Sequence, residues 1–427
     1  MFRVNLVLRT FVLVHFLCCA FATAKAASAD PVLLGKIRLI SGDTANSRIS
    51  YGIGLFETAL KDLSYTTEKA QAISLDKKGL VQVIASVDGT AIIKDAEQTL
   101  KMSLTTVAVK EHFRIVVKNG FVVVVGADPT GVMYGLIELR ERVVAARSMP
   151  ALLDIADGPE MVLRGSCIGV QKPAYLPGRL VYEYPYTPES FPWFYDKELW
   201  TRVLDSMANN RMNALFLWNG HPFASLVKLK DYPYALEVDE ATFKKNEAIY
   251  GFITKEAERR GIWVIQMFYN IIVSKPFADH HGIKTQDRNR PIVPLIADYT
   301  KQSIAAFVEK YPNVGLMVAL GEAMEGVGQD DIDWFTKTII PGVKQGLAAL
   351  GKTEEPPIVL RSHDTDAPSV MRAALPLYKN LYTESKYNGE SLTTYTPRGP
   401  WAELHRKLSA LGSVQLENVH ILSNLEP

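Results

Sequence analysis

The sequence predicts an α/β protein: a (β/α)8 TIM barrel, truncated after its seventh strand, preceded by a small α+β domain. Three observations carry that expectation. From Met161 onward, short apolar runs without polar alternation, such as Ala214-Leu215-Phe216-Leu217-Trp218 and Leu316-Met317-Val318-Ala319-Leu320, alternate with helices that have one apolar face. Strands of that kind are covered on both sides and suit a parallel sheet. Polar residues gather just after the apolar runs, and no glycine-rich phosphate loop follows the first of them, which favours a barrel over a doubly wound sheet.

Composition sets the frame. The 427 residues are 48% hydrophobic and 22% charged, as in a soluble globular protein of two or three domains. Lys plus Arg number 47 and Asp plus Glu 46, so no basic face points to nucleic acid. Three cysteines exclude a disulfide scaffold.

Residues 1–26 read as a secretory signal peptide. Arg3 and Arg9 give the positive start, Phe11 to Phe21 the apolar core and Ala24-Lys25-Ala26 the small-x-small cleavage pattern. The apolar run is short of the ~20 residues that span a bilayer, so no stable membrane span is expected after cleavage. The expected location is secreted or periplasmic.

The small domain is placed at 31–157. Lys36–Ile40 reads as a strand, Ser47–Leu63 as a helix with Ile49, Ile53, Phe56 and Leu60 on one side, and Leu80–Ile84, Phe113–Val117 and Phe121–Val125 as further strands. Lys118-Asn119-Gly120 is a hairpin turn, since Asn-Gly tolerates positive φ. Val132, Leu136, Leu139 and Val143 mark a second helix. Gly52-Ile53-Gly54 lacks the third glycine of a dinucleotide fingerprint and reads as helix packing or a turn.

The barrel domain is placed at 161–427, with strands beginning near Val162, Ala214, Ile262, Val314, Pro357, Asn380 and Asn418. Leu199, Val203 and Met207 form one helix face, Ile304, Phe307, Val308 and Tyr311 another, and Ile332, Phe335, Ile339 and Val343 a third. The chain ends directly after the seventh strand, hence the expectation of a truncated barrel.

In a barrel the chemistry sits at the carboxyl ends of the strands. Those ends are expected to present Arg164, Gln171 and Lys172; Trp218, Asn219 and His221; Gln266, Tyr269 and Asn270; Glu322 and Glu325; Arg361, His363, Asp364 and Asp366; Glu384, Lys386 and Tyr387; and Asn424 and Glu426. Carboxylates facing each other across a cleft are what glycosidic cleavage needs: one protonates the leaving oxygen, the other attacks or activates water. The aromatic loop from Tyr175 to Tyr195 (Tyr175, Tyr182, Tyr184, Tyr186, Phe191, Trp193, Phe194, Tyr195) offers flat faces to sugar rings or packs the loop onto the barrel. Asp279-His280-His281 reads as a surface loop rather than a metal site, because helical i, i+4 spacing is missing. No Gly-x-Ser-x-Gly elbow surrounds Ser166, so a serine hydrolase is unsupported. No cofactor and no metal are expected.

A family resemblance follows from four segments. Gly126-Ala127-Asp128-Pro129-Thr130-Gly131-Val132-Met133-Tyr134-Gly135 resembles the end of the small domain that precedes the barrel in β-hexosaminidases and α-glucuronidases. Leu163-Arg164-Gly165 resembles the first barrel strand of the hexosaminidases. Met207 to Leu215 and Ala257 to Ile265 resemble their approaches to strands 2 and 3. The order is preserved over about residues 36–326. The resemblance implies sugar hydroxyls held by Arg164 and a general acid at Glu322. Hexosaminidases carry an Asp-Glu pair after strand 4, the Asp steering the substrate acetamide; here the pair is Gly321-Glu322. That departure turns the resemblance toward α-glucuronidase-like enzymes.

The sequence therefore leads to the expectation of a secreted glycoside hydrolase of the β-hexosaminidase/α-glucuronidase-like clan, acting on a plant- or polysaccharide-derived oligosaccharide. Glu322 is the expected acid. The base or nucleophile lies among Glu384, Asp364 and Glu426, with Glu384 preferred. The substrate-binding set is Arg164, Trp218, Asn219, His221, Tyr269, Arg361, His363, Lys386, Tyr387 and Asn424, with Arg361 or Lys386 pairing a uronic carboxylate. The alternatives are a β-N-acetylhexosaminidase and a non-catalytic glycan-binding protein on the same fold.

Overall fold

The structure is a computed structural model that describes residues 35–74, 80–172, 174–179, 183–269, 271–289, 292–321, 328–390, 396–411 and 414–418, with backbone only at 389–390 and 414–418. The signal-peptide reading lies outside these residues. The chain forms two compact units: Met1–Thr44 with Gly52–Asp157, and Ala45–Tyr51 with Gly158–Pro427.

The first unit is built on a six-stranded sheet of β1 (Lys36–Ser41), β2 (Thr66–Ala70), β3 (Leu80–Val87), β4 (Phe113–Lys118), β5 (Phe121–Gly126) and β6 (Leu153–Asp157), ordered β2-β1-β3-β5-β4-β6. β1, β2, β3 and β5 run parallel, and β4 is antiparallel to β5 and β6. Asn119 (φ 54°) and Gly120 (φ 79°) make the expected tight turn between β4 and β5. β5 is buried along its whole length because both faces are covered. Val123 and Val125 pack with Ile92, Ile93 and Ala96 of α2 (Ala91–Leu100). Val124, on the other face, meets α3 (Pro129–Ala146) so closely that a Cβ on Gly135 would lie 2.5 Å from its Cγ1.

The start of α3 explains the Gly126–Gly131 motif. The Asp128 carboxylate accepts from Gly131 N at 2.8 Å and from Glu111 N at 3.0 Å, so it caps the helix and ties down the preceding loop. Pro129 follows in the first turn, where its missing N–H costs nothing. Gly52 lies inside α1 (Ser47–Asp62), where a Cβ would meet Met133 Cα at 3.1 Å; this is helix packing. β2, α2 and β6 had no counterpart in the sequence reading. β2 and β6 are short and largely exposed: β2 has no apolar alternation, and β6 only the single pair Leu153 and Ile155.

Among the described residues the second unit holds seven parallel strands: β7 (Gly165–Gly169), β8 (Ala214–Trp218), β9 (Trp263–Tyr269), β10 (Val314–Ala319), β11 (Ile358–Arg361), β12 (Leu381–Glu390) and β13 (Val414–Asn418). Their spatial order is their sequence order, with no reversal, so the sheet is singly wound as in a barrel rather than doubly wound. Helices intervene: α4 (Lys197–Asn209), α5 (Glu240–Arg259), α6 (Lys275–His281), α7 (Pro294–Lys310), α8 (Gln329–Trp334, running on through a π turn into Ile340–Ala349), α9 (Ala367–Ala374) and α10 (Gly399–Ser409).

The central strands β8 to β11 read as largely apolar runs because alternate residues serve two cores. Ala214, Ile265, Met267, Met317, Val359 and Tyr382 form one continuous inner cluster. Leu215, Leu217, Val264, Leu316, Val318 and Leu360 are equally buried but alternate with that set, so they point to the opposite face of the sheet. Arg361, at the end of β11, lies 4.8 Å from the ring of Trp218, at the end of β8 three strands away, so the sheet curls, giving an incomplete TIM barrel among the described residues.

Several rim helices begin on side-chain caps: Asp196 for α4, Asp239 for α5, Ser274 for α6 and Asp366 for α9. Asp279, His280 and His281 lie on α6 rather than on a loop. Tyr234 stacks on His280 at 3.9 Å and meets His281 Nε2 through its hydroxyl at 2.8 Å, while Asp279 pairs with Lys275.

Candidate active site

Strand register decides which side chains share the inner face. Tyr269, Ala319, Arg361, Glu384 and Leu416 are successive partners across β9 to β13. Tyr269, Ala319 and Arg361 are the last residues of their strands, so this row lies at the carboxyl end of the barrel. Register partners in parallel strands point to the same face, and Tyr269 and Ala319 belong to the inner cluster. Arg361 and Glu384 therefore face inward side by side.

Arg361 is 3% exposed and Glu384 5% exposed, and the guanidinium Nε lies 3.5 Å from a Glu384 carboxylate oxygen. That separation is an ion pair rather than a tight hydrogen bond. The guanidinium carbon also sits 4.8 Å from the centroid of the Trp218 ring at the end of β8. Trp218 in turn meets Tyr269 edge-to-face at 6.5 Å. The planar cation thus has a ring on one side and a carboxylate beside it, the setting in which Arg rather than Lys is suited to planar, bidentate contact with an anionic oxygen pair. Lys386 lies two residues beyond Glu384, hence on the same face, and is also buried.

Next to this row the chain turns sharply. An added Cβ on Gly321 would lie 1.6 Å from the Asp364 carbonyl oxygen. Gly321 N donates to Thr365 Oγ1 at 3.0 Å, and Arg288 Nη2 donates to Gly321 O at 3.4 Å. Asp364 itself adopts φ 49°. The loop after β11 therefore crosses the end of β10 where only glycine fits. His363 is half-buried, 3.6 Å from the largely exposed Asp364 carboxylate.

The expected site residues divide clearly. Trp218, Tyr269, Arg361, Glu384 and Lys386 come together on the inner carboxyl-end rim. His363 and Asp364 lie on the loop following it. Tyr387 is the next residue of β12 after Lys386, hence of opposite facing, and its carbonyl lies 3.0 Å from His405 Nε2. Glu322, Glu325, Asn270, Tyr182, Asn424 and Glu426 lie outside the described residues.

Three expected binding residues are committed elsewhere. Arg164 precedes β7, and its guanidinium donates to the carbonyls of Met161, Val162 and Arg211, so it stands at the amino end of the strands. The apolar run Met161-Val162-Leu163 suggested that the strand began there, but Met161 and Val162 are exposed. Asn219 is fully buried. Its amide donates to Val170 O and Tyr184 O at 2.9 Å, and its oxygen accepts from His221 N. His221 meets the Tyr299 hydroxyl at 2.9 Å, and burial pushes its pKa down to about 3. Gln266 points to the outer face, where Tyr250 donates to it at 2.8 Å and it donates to Leu217 O.

The aromatic loop packs mainly on itself. Tyr186, Phe191 and Phe194 are buried and meet in edge-to-face or tilted pairs at 5.0 to 6.3 Å, while Tyr175 is exposed. Sequence reasoning passed over the charges threaded through this loop: Arg179 and Glu183 are buried there as a pair, and Arg179 also reaches Glu237 from the loop after β8. It also passed over Thr365 and Arg288 at Gly321. The i, i+4 spacing of Arg179 and Glu183 was the only signal for the first, and nothing local pointed to the second.

The chain is similar to a GH138 enzyme targeting pectin rhamnogalacturonan II, at 57% identity and TM-score 0.80 over 92% of this chain and 43% of that one. It therefore spans less than half the length of that enzyme. A mutant Streptomyces plicatus beta-hexosaminidase shares the fold at 13% identity and TM-score 0.54, covering 90% of this chain and 70% of that one. The GH20 beta-N-acetylhexosaminidase from Streptomyces coelicolor A3(2) does so at 12% and 0.52, with the same coverage. No protein-family model and no curated protein matches the chain. The curled parallel sheet and the 57% identity converge: this chain is related to the glycoside hydrolases, being similar to part of a GH138 enzyme on a hexosaminidase-like fold.

Proposed function

We propose that this chain is the barrel-bearing part of a secreted, polysaccharide-degrading glycoside hydrolase that acts on a pectic, uronate-bearing glycan. The observation that carries this reading is the buried Arg361–Glu384 pair at the carboxyl end of the strands, 3.5 Å apart and backed by Trp218. The similarity to an enzyme targeting pectin rhamnogalacturonan II supports the substrate class.

In this reading Glu322 is the general acid that protonates the leaving glycosidic oxygen. Glu384 is the carboxylate that attacks the anomeric carbon or activates water. Arg361, with Lys386, receives the uronic carboxylate of the sugar, charge against charge. The α-glucuronidase-like specificity is favoured over the hexosaminidase one by Gly321. An acetamide-steering carboxylate at that position needs a Cβ, and the Asp364 carbonyl occupies its place.

Product analysis of the full-length protein on rhamnogalacturonan II fragments, other uronic-acid oligosaccharides and N-acetylhexosamine oligosaccharides tests the proposal. Release of a uronic sugar supports it. Release of N-acetylglucosamine overturns the uronate specificity. Glycan binding without any cleavage, undiminished in Glu322→Gln, replaces the enzyme with a glycan-binding protein.

A further inference from the structure

The loops after β7 and β8 are joined by a buried charge cluster that shares no residue with the Arg361–Glu384 row. Arg179 Nη1 donates to Glu183 Oε2 at 2.5 Å, and Nη2 donates to Glu237 Oε1. The side chains are 6%, 1% and 10% exposed, respectively. One guanidinium thus faces two carboxylates in a dry setting. The second Glu183 oxygen, Oε1, is buried with no hydrogen-bond partner among the described residues. A carboxylate oxygen buried without a donor is costly; a protonated carboxyl group avoids the extra charge.

The neighbours do not supply the missing charge. His221, from the loop after β8, is neutral, because burial and the Arg179 charge oppose its protonation. Tyr299, on α7, holds the His221 ring at 2.9 Å. Lys275, at the start of α6, faces Glu237 through its backbone N–H and its charge, but its ammonium is half-exposed and pairs with Asp279.

We propose that Arg179, Glu183 and Glu237 form a proton-dependent latch between the first two rim loops of the barrel, closed while the two carboxyl groups share one proton and loosened when that proton leaves. Burial raises both carboxyl groups, Glu183 to about 7. The proton belongs to the pair, so either glutamate can hold it. A folded pKa above the unfolded value means that the closed form is favoured most at low pH. The advantage is lost as pH rises from the unfolded value near 4.5 through 7 and is gone above it. The inference concerns the loops and stands whatever bond the protein cleaves.

Hydrogen exchange of the full chain, corrected for the intrinsic pH dependence of amide exchange, tests it in residues 183–191 and 233–237. Linkage with the stated values makes loop opening increase about tenfold between about pH 6 and about pH 8.5 in the wild type. Glu183→Gln keeps an acceptor for Arg179 without an ionisable proton, and its exchange is expected to change by less than about twofold over the same range. Glu237→Gln, which likewise leaves one carboxylate, gives the same flat profile should the first variant not fold. A wild-type profile that is flat, or variants that keep the wild-type slope, overturns the latch.

Discussion

Arg361 and Glu384 are register partners on adjacent parallel strands, and their side chains meet at 3.5 Å inside the barrel with almost no exposure to solvent. The pairing is not local in sequence: α9 and its flanking loops separate the two residues. It exists because β11 and β12 align so that an inward position of each carries an opposite charge.

Removing the cation takes away the charge that faces a buried carboxylate. Arg361→Ala is expected to destabilise the protein by about 3 kcal/mol, the usual scale for breaking a buried pair. Urea unfolding of the variant beside the wild type measures this. A loss within about 0.5 kcal/mol, the range of ordinary surface substitutions, would mean that the pair is not energetically coupled.

The carboxylate itself is assigned to chemistry. Glu384→Gln and Glu322→Gln are each expected to lower kcat by at least ~100-fold on a substrate with a poor leaving group. Steady-state kinetics on a defined oligosaccharide decides the matter residue by residue. Near-normal turnover of either variant removes that residue from its role.

Gly321 is held by space rather than by chemistry. Gly321→Ala places a methyl group 1.6 Å from the Asp364 carbonyl, so the two rim loops must part. Overpacking of this kind costs about 1–3 kcal/mol. A variant as stable as the wild type would show that the loop after β11 moves freely, and the case against a side chain at this position would lose its basis.

His221 sets an acid limit. Its folded pKa, about 3, lies below the unfolded value of 6.5, so protonation favours the unfolded chain. Stability from this site is complete above about pH 6.5 and falls by up to about 1.4 kcal/mol per pH unit as pH drops toward 3. Denaturant unfolding at several pH values is expected to show a shallower acid slope in His221→Gln than in the wild type. Parallel slopes would contradict the buried neutral imidazole.

Much of the architecture was legible because it rests on patterns within single segments. Doubly apolar runs such as Leu316 to Leu320 declare a strand covered on both faces, and Asn119-Gly120 declares its turn by the φ it tolerates. The motif from Gly126 to Gly131 declares a strand end, a cap and a helix start. The exposed β2 and β6 escaped because neighbours, not their own side chains, make them strands.

Residue type placed polar groups near strand ends but did not say which way they point. Trp218, Tyr269, Arg361, Glu384 and Lys386 share the inner face because of register. Asn219 and His221, only one and three residues beyond Trp218, are spent on the backbone and on Tyr299. A one-residue step reverses the facing of a strand side chain, and only the alignment of seven strands fixes that step. The amino acids supplied the ionisable groups; the curl of the sheet selected which of them face one another.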